Sequence, residues 1–336
     1  MTTRMLCAVL LAAWVTVASA SAEPAGTVVI YTSVDQVFAE PVFRALERKT
    51  GLTVKAVFDT EETKSTGVLN RLIAEASSPQ ADVFWSGDPV RPFVLIKRGV
   101  VAPHASTAAH AIPAAFRAPD GTWTGFAARA RVLLVNRTKL SGKPAPRSIR
   151  DLGAPGWKGQ AAIANPLFGT TTMHVAALFS SWGDAQAKEF LESLKKNEVR
   201  IASSNGEVKR LVIAGEVAFG LTDTDDAHEA VKGGAPVDVV YPDADGTGTL
   251  VMPTSVVLIK GGPNPEAARR AIDHLLSADV EKQMAESAAH MPLRSDVPAV
   301  EGVKSLASVK PMVVDYAKVA GEMERIQPWL REWAGY

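Results

Sequence analysis

From residue 28 onward, hydrophobic positions fall into short β-forming runs that alternate with stretches repeating near helical spacing. Val28-Val29-Ile30-Tyr31-Thr32 reads as a buried strand. Val37, Phe38, Val42, Phe43 and Leu46 then share one face of a helix over 37–50, which Gly51 closes. Residues 52–58 alternate as a strand, 64–76 place Val68, Leu69, Leu72 and Ile73 inward as a helix, and 81–85 form a third strand. This order predicts a mostly parallel sheet with helices on both faces. The pattern restarts further on, with strands at 160–165, 199–203 and 217–222 and helices at 170–182, 185–196 and 207–214. Residues 126–136 and 250–260 are long and β-branched, suited to cross between two such units, and the tail over 313–333 reads as a helix packed outside. The expected fold class is therefore α/β: two lobes of mixed sheet flanked by helices, joined by crossover strands, with a cleft between them. Lobe 1 is expected over 23–128, with 252–300 returning to it. Lobe 2 covers 129–251, with 301–336 as a C-terminal helical segment.

The first 22 residues stand apart from this pattern. Arg4 supplies a positive start, 5–17 is an apolar run too short for a comfortable membrane span, and Ala18-Ser19-Ala20 and Ala20-Ser21-Ala22 are small-x-small cleavage sites. A signal peptide over 1–22 is expected, with export to the periplasm. Cys7, the single cysteine of the chain, lies inside it, so neither a disulfide framework nor a Cys-rich metal site is available. With 36 basic and 36 acidic residues in 336, no polyanion-binding surface is indicated, which argues against nucleic acid as a partner.

In open α/β sheets, ligands sit beyond the C-terminal ends of strands. That rule marks four loops: Ser33-Val34-Asp35-Gln36, Ser86-Gly87-Asp88-Pro89, 166–172 with Gly169-Thr170-Thr171-Thr172, and Asp223-Thr224-Asp225-Asp226. Enzyme signatures are missing. The chain holds no G-x-S-x-G, H-E-x-x-H, Walker or G-x-G-x-x-G motif. Ser193-Leu194-Lys195-Lys196 fits S-x-x-K but lies on a charged amphipathic helix, where a solvated face is the better reading. The six histidines show no ligand-like spacing, so a multi-His zinc site is not indicated. A secreted α/β enzyme is the rival reading from another class, and a binding protein that signals through a receptor is another.

Several of these stretches together resemble periplasmic ferric-ion-binding proteins, the substrate-binding components of ABC importers. They are Val29-Ile30-Tyr31-Thr32-Ser33, Pro79-Gln80-Ala81-Asp82-Val83-Phe84-Trp85-Ser86, Arg129-Ala130-Arg131-Val132, Gly215-Glu216-Val217 and Val256-Val257-Leu258-Ile259-Lys260. The resemblance runs from about residue 28 to about residue 294. It implies a type II periplasmic binding fold, a non-enzymatic role with no cofactor, a small-molecule ligand, an ABC permease as partner and a monomer. In that family a first-loop ligand, often a Glu after the third strand, and two adjacent tyrosines hold the metal. Here those positions read Asp35, Gly87 beside Asp88, and Asp225-Asp226, while Tyr31, Tyr241, Tyr316 and Tyr336 lie elsewhere. The family also binds an anion at a helix N-terminus in the second lobe. Gly169, Thr170 and Thr171 at the start of a helix, and Asn205 at the end of the next strand, match that position.

An anion pocket facing carboxylates suits a phosphonate or phosphate group with an attached ammonium, such as 2-aminoethylphosphonate. Asp225, Asp226 and Asp35 or Asp88 would take the cation by charge-assisted hydrogen bonds, with Ser33 in the same first loop. Trp85 at the cleft edge would add a cation–π contact. Arg129 and Arg131 share one strand face and either can reach the anion, Arg129 being the stronger candidate. Lys64 and Thr66 are weaker candidates. The acidic run admits two other readings. Asp35, Asp225 and Asp226 are hard oxygen ligands for Fe³⁺ as a transported ion with a synergistic anion, and the run also suits the first turn of a helix without any ligand.

Overall fold

The computed structural model describes residues 26–59 and 66–336. The expected signal peptide and Lys64 lie outside the described residues. The first half of the chain builds a parallel unit from β1 (Thr27–Thr32), α1 (Gln36–Thr50), β2 (Thr53–Phe58), α2 (Gly67–Ala74), β3 (Val83–Ser86) and α3 (Arg91–Lys97). β1 lies between β2 and β3, parallel to both. The helix expected over 37–50 turns its Ala39, Val42, Phe43 and Leu46 inward and ends where Gly51 takes the left-handed conformation (φ 72°).

After the short β4 (Val101–Ala102), the 13-residue β5 (Thr124–Asn136) carries the chain out of this sheet. Its first part, Thr124 to Ala130, pairs antiparallel with β10 (Val251–Ile259), which in turn pairs with β3 and β4. From Arg131 onward β5 pairs instead with β8 (Phe219–Asp223) and β9 (Val237–Val240). β6 (Ala161–Ala164) lies parallel to β8, and β7 (Arg200–Ala202) closes that side beside β6. Helices α4 (Gly169–Trp182), α5 (Asp184–Lys196), α6 (Asn205–Ile213) and α7 (Thr224–Lys232) connect this second set, while α8 (Pro265–Leu275) and α9 (Ala278–Ala288) follow β10.

β5 therefore crosses between the two sheets, as its length and β-branching predict. β10 behaves differently. It reaches the junction, where Leu250 O accepts from Arg131 N at 2.9 Å, but its own partners belong to the first sheet. The junction is bulged. Ala127 has φ +44°, and the β5–β10 register slips between Pro253 and Thr254. A non-glycine residue in that conformation is strained, and it is held by a buried carboxylate: Glu281 accepts from Ala127 N at 2.9 Å, Leu293 N at 2.7 Å and Arg294 N at 3.0 Å.

The tail forms α10 (Tyr316–Ala334), and it straps both halves rather than packing on the second alone. The Tyr316 ring meets Trp123 and Phe116, Trp329 meets Phe179 on α4, Arg325 pairs with Asp184 on α5, and Glu324 reaches Lys97 on α3. No helix among the described residues is long and apolar enough to cross a membrane.

Candidate functional site

β5, β8, α4, α6 and α7 bring a compact polar cluster together where the two sheets meet. Strand alternation puts Arg129 and Arg131 on one face of β5, and antiparallel register sets Arg131 opposite Asp223, the last residue of β8. Arg131 is completely buried. Its Nη1 donates to Asp223 Oδ1 at 2.6 Å, Thr170 Oγ1 at 3.0 Å and Asn205 Oδ1 at 3.1 Å, and its Nη2 donates to Thr171 Oγ1 at 3.2 Å. Asp223 also accepts from Thr170 Oγ1 at 2.9 Å and Asn205 Nδ2 at 3.2 Å. Burial alone would raise the Asp223 carboxyl, but the charges of Arg131 and Arg129, with hydrogen bonds from Arg131 and Thr170, hold it below the usual carboxylate range.

Arg129 spans the junction. Its Nη2 donates to Gly87 O in the first half at 2.9 Å, while Nη1 lies 3.3 Å from Asp223 and 3.6 Å from Asp225 in the second half. Burial disfavours its charge, yet Asp225, Asp223, Asp35 and Asp88 together raise its pKa. Asp225 has the opposite history. Burial pushes its carboxyl up to about 6, against the pull of Arg129 and with help from Asp223 and Asp226. Its side chain keeps 25% exposure, so it combines a weakened hold on charge with access from outside.

No side chain caps the N-terminus of α4. Thr170 turns to Asp223 and Arg131 instead, so ordinary threonine capping does not explain the Gly169-Thr170-Thr171 start. Gly169 opens the helix at φ +58° with nothing within 4 Å of where a Cβ would stand. Arg131 Nε and Thr172 Oγ1 are buried with no hydrogen-bond partner among the described residues. In the first turn of α4 the Thr170 and Thr171 hydroxyls accept from Arg131, while the backbone N–H groups at the positive end of the helix have no side-chain cap.

Comparison with known proteins decides the family. The model of the bacterial extracellular solute-binding protein family matches residues 78–319. The chain belongs to that family. Iron uptake protein A1 of Synechocystis sp. (strain ATCC 27184 / PCC 6803 / Kazusa) is 28% identical over 275 residues, 78% of this chain and 74% of its own. A putative 2-aminoethylphosphonate-binding periplasmic protein of Salmonella typhi is 27% identical over 297 residues, 87% of this chain and 81% of its own. Iron-bound HitA from Pseudomonas aeruginosa superposes with a TM-score of 0.80 at 24% identity, covering 90% of this chain and 99% of that one. The fold is that of the type II periplasmic binding proteins, as the resemblance to ferric-binding proteins implied. These relatives are binding and uptake proteins, which supports a non-enzymatic role. Ser193 accordingly sits on α5 with its hydroxyl donated to Phe190 O at 2.6 Å.

Three site expectations need correction in this solute-binding protein. Trp85 does not edge the cleft. It is fully buried between Phe43 and Phe126, each with its ring centroid 5.7 Å away, and a core ring shut off from solvent offers no face to a ligand cation. Asp88 serves α3 instead, accepting from Val90 N at 2.9 Å and Arg91 N at 3.1 Å and pairing with Arg91 at 3.2 Å. The Asp226 carboxylate does not point the same way as that of Asp225. Successive residues of a helix diverge by about 100°, so Asp226 points to Thr222 at 3.0 Å and Lys209 at 3.2 Å.

The other expected residues lie around the cluster. Ser33 Oγ accepts from Gly87 N at 2.9 Å and ties the first loop to the one that meets Arg129. Asp35 precedes α1 and contributes to the field at Arg129. None of the four tyrosines joins the cluster: Tyr31 donates to Glu75, Tyr316 to Val251 O, Tyr241 lies under Lys304, and Tyr336 is exposed. Among the described residues no group of three or more His, Cys, Asp or Glu side chains is placed to hold a metal ion.

Of the two carboxylates expected to act together, Asp225 faces Arg129 and Asp226 faces Lys209. Asp226→Asn should leave ligand affinity within about twofold, whereas Asp225→Asn should weaken it about tenfold or more. Titration calorimetry on the two single variants checks this, and equal losses would count against the divergence.

Proposed function

We propose that this protein is the periplasmic solute-binding component of an ABC importer, capturing a small zwitterion that bears a phosphonate or phosphate group, 2-aminoethylphosphonate being the model ligand. One observation carries this reading. Arg131 gathers Thr170 and Thr171 from the uncapped start of α4 and Asn205 from the start of α6 around Asp223, and Arg129 links Asp223 to the accessible carboxylate of Asp225. A tetrahedral oxyanion suits the donors, and an ammonium two carbons away suits Asp225, with Asp35 and Ser33 on the facing loop. The 2-aminoethylphosphonate-binding relative, similar over most of both chains, supports it. We assign the halves as lobe 1 over 23–128 with 252–300 and lobe 2 over 129–251, and lobe closure would bury the ligand before its delivery to the permease.

Ferric iron with a synergistic anion is the second reading, favoured by the iron-named relatives. It is weakened by the guanidinium of Arg129 lying against Asp225, because that fixed charge repels a trivalent cation about three times as strongly as it repels a single ammonium.

Calorimetric titration of the chelator-stripped protein with 2-aminoethylphosphonate, and in parallel with ferric citrate, separates them. Micromolar or tighter binding of the phosphonate without metal is the expected result, and heat from iron alone would overturn it. The pH dependence gives a second test. A cationic ligand prefers ionised Asp225, so affinity should rise with pH and level off above about 6. At one unit below that value it should be about tenfold weaker. The phosphonate titrates in the same range, so the comparison is with Asp225→Asn, which should lose the carboxylate part of the dependence. Identical pH profiles for the two proteins would exclude Asp225 as the cation contact.

A further inference from the structure

Asp223 stands where an oxyanion would stand. Its side chain is 2% exposed and takes hydrogen bonds from Arg131 Nη1 at 2.6 Å, Thr170 Oγ1 at 2.9 Å, Asn205 Nδ2 at 3.2 Å and Arg129 Nη1 at 3.3 Å. Those are the donors that a phosphonate at the start of α4 would use. The carboxylate is anchored from behind, because Asp223 ends β8 and pairs with Arg131 in the strand register. The cluster still has a donor to spare, since Arg131 Nε is buried with no partner among the described residues.

We infer that Asp223 is a specificity-determining residue of this site: a resident carboxylate that turns away ligands carrying only negative charge and admits oxyanions that bring their own cation. The inference rests on the proposed reading of the site as a receptor for phosphonate-bearing zwitterions. Arg129 and Arg131 alone, beside a helix N-terminus, would attract any small oxyanion, inorganic phosphate and sulfate included. With Asp223 between them, an incoming dianion competes for the same donors and lies against like charge in a site of low water content. A ligand ammonium cancels that repulsion, and Asp225 adds a second carboxylate for it to meet. Discrimination by built-in repulsion is a common route to specificity, because it penalises the competitor without tightening the correct ligand.

The test is Asp223→Asn, which keeps the size and one acceptor for Arg131 while removing the charge. Three probes are titrated into wild type and variant: 2-aminoethylphosphonate, ethylphosphonate, which lacks the amine, and inorganic phosphate. Wild type should prefer the aminophosphonate over ethylphosphonate by about 100-fold or more, and the variant should narrow this to about tenfold while gaining about tenfold in affinity for phosphate. A folded variant with unchanged preference and no gain for phosphate overturns the inference. If the variant does not fold, as judged by circular dichroism, Asp225→Asn decides: a remaining preference of about tenfold for the aminophosphonate over ethylphosphonate supports the role of Asp223, and equal affinity for the two overturns it. The two readings fail separately. Should neither protein bind the aminophosphonate, the proposed ligand falls, yet a gain for phosphate in Asp223→Asn upholds the role of Asp223 and no gain removes it.

Discussion

Replacing Arg131 by Met is expected to lower the free energy of unfolding by about 3–5 kcal/mol, because it breaks a fully buried ion pair from one side. Met fills much of the volume of the aliphatic stem, so the loss is chiefly electrostatic. It takes from Asp223 its 2.6 Å partner, leaving Arg129 at 3.3 Å with Thr170 and Asn205, and it deprives two hydroxyls and an amide oxygen of a donor. Replacing both partners, Arg131→Met with Asp223→Leu, should cost markedly less than Arg131→Met alone, since no uncompensated charge stays behind. The sign of the pH dependence follows from the depressed Asp223 carboxyl. A group whose folded pKa lies below its unfolded value contributes stability that is complete at neutral pH and is lost as pH falls through the folded value. The deficit of Arg131→Met should therefore shrink in acid, because the unfolded chain takes up a proton on Asp223 before the folded wild type does and the wild type loses that stability as pH falls. Urea denaturation at pH 7 and near pH 3 measures this, and a deficit of equal size at both would show that packing rather than charge is responsible.

Glu281→Ala should cost a similar amount, about 3–5 kcal/mol, and should alter domain motion as well as stability. The carboxylate is completely buried and satisfies three backbone N–H groups. An orphaned buried donor costs about 1–3 kcal/mol each. Ala127, one of the three, holds its left-handed conformation where β5 leaves the first sheet. Losing Glu281 removes the contact that fixes this bulge to the 290–294 segment, where Ala128 and Met291 also exchange backbone hydrogen bonds. Urea denaturation gives the stability change. Small-angle scattering with and without ligand gives the opening, and a wider radius of gyration for the ligand-free variant is expected. A variant as stable as wild type would mean that water replaces the carboxylate at all three donors.

Much of this architecture was legible in residue order. The period-2 and helical runs marked β1, α1, β2, β3, α4, α5 and α6 to within a few residues, because each carries an apolar run or spacing that its neighbouring residues display. Less regular pieces escaped. α3 has seven residues and a Pro near its start, and β9 alternates burial only weakly, so neither carries enough periodicity to stand out. Trp85 shows a different limit. A large aromatic at the end of a strand has the same sequence signature whether it lines a ligand or fills the core, and only its packing between Phe43 and Phe126 separates the two.

The polar cluster divides in the same way. Sequence by itself determined that Arg129 and Arg131 share a face, that hydroxyls open a helix after β6, and that carboxylates stand where ferric-binding relatives carry tyrosines, since alternation and loop position follow from local chain geometry. It did not single out Asp223, which looked like one more acidic residue in a helix-starting run. Register made the difference: β5 and β8 are more than 80 residues apart in the chain, and their antiparallel pairing sets Arg131 against Asp223. Helical twist likewise parted Asp225 from Asp226, sending one toward Arg129 and the other to Lys209. Local pattern is a short-range property and is written in neighbouring residues. Which charge faces which is decided by strand register and helix phase across the fold, and so belongs to the tertiary structure alone.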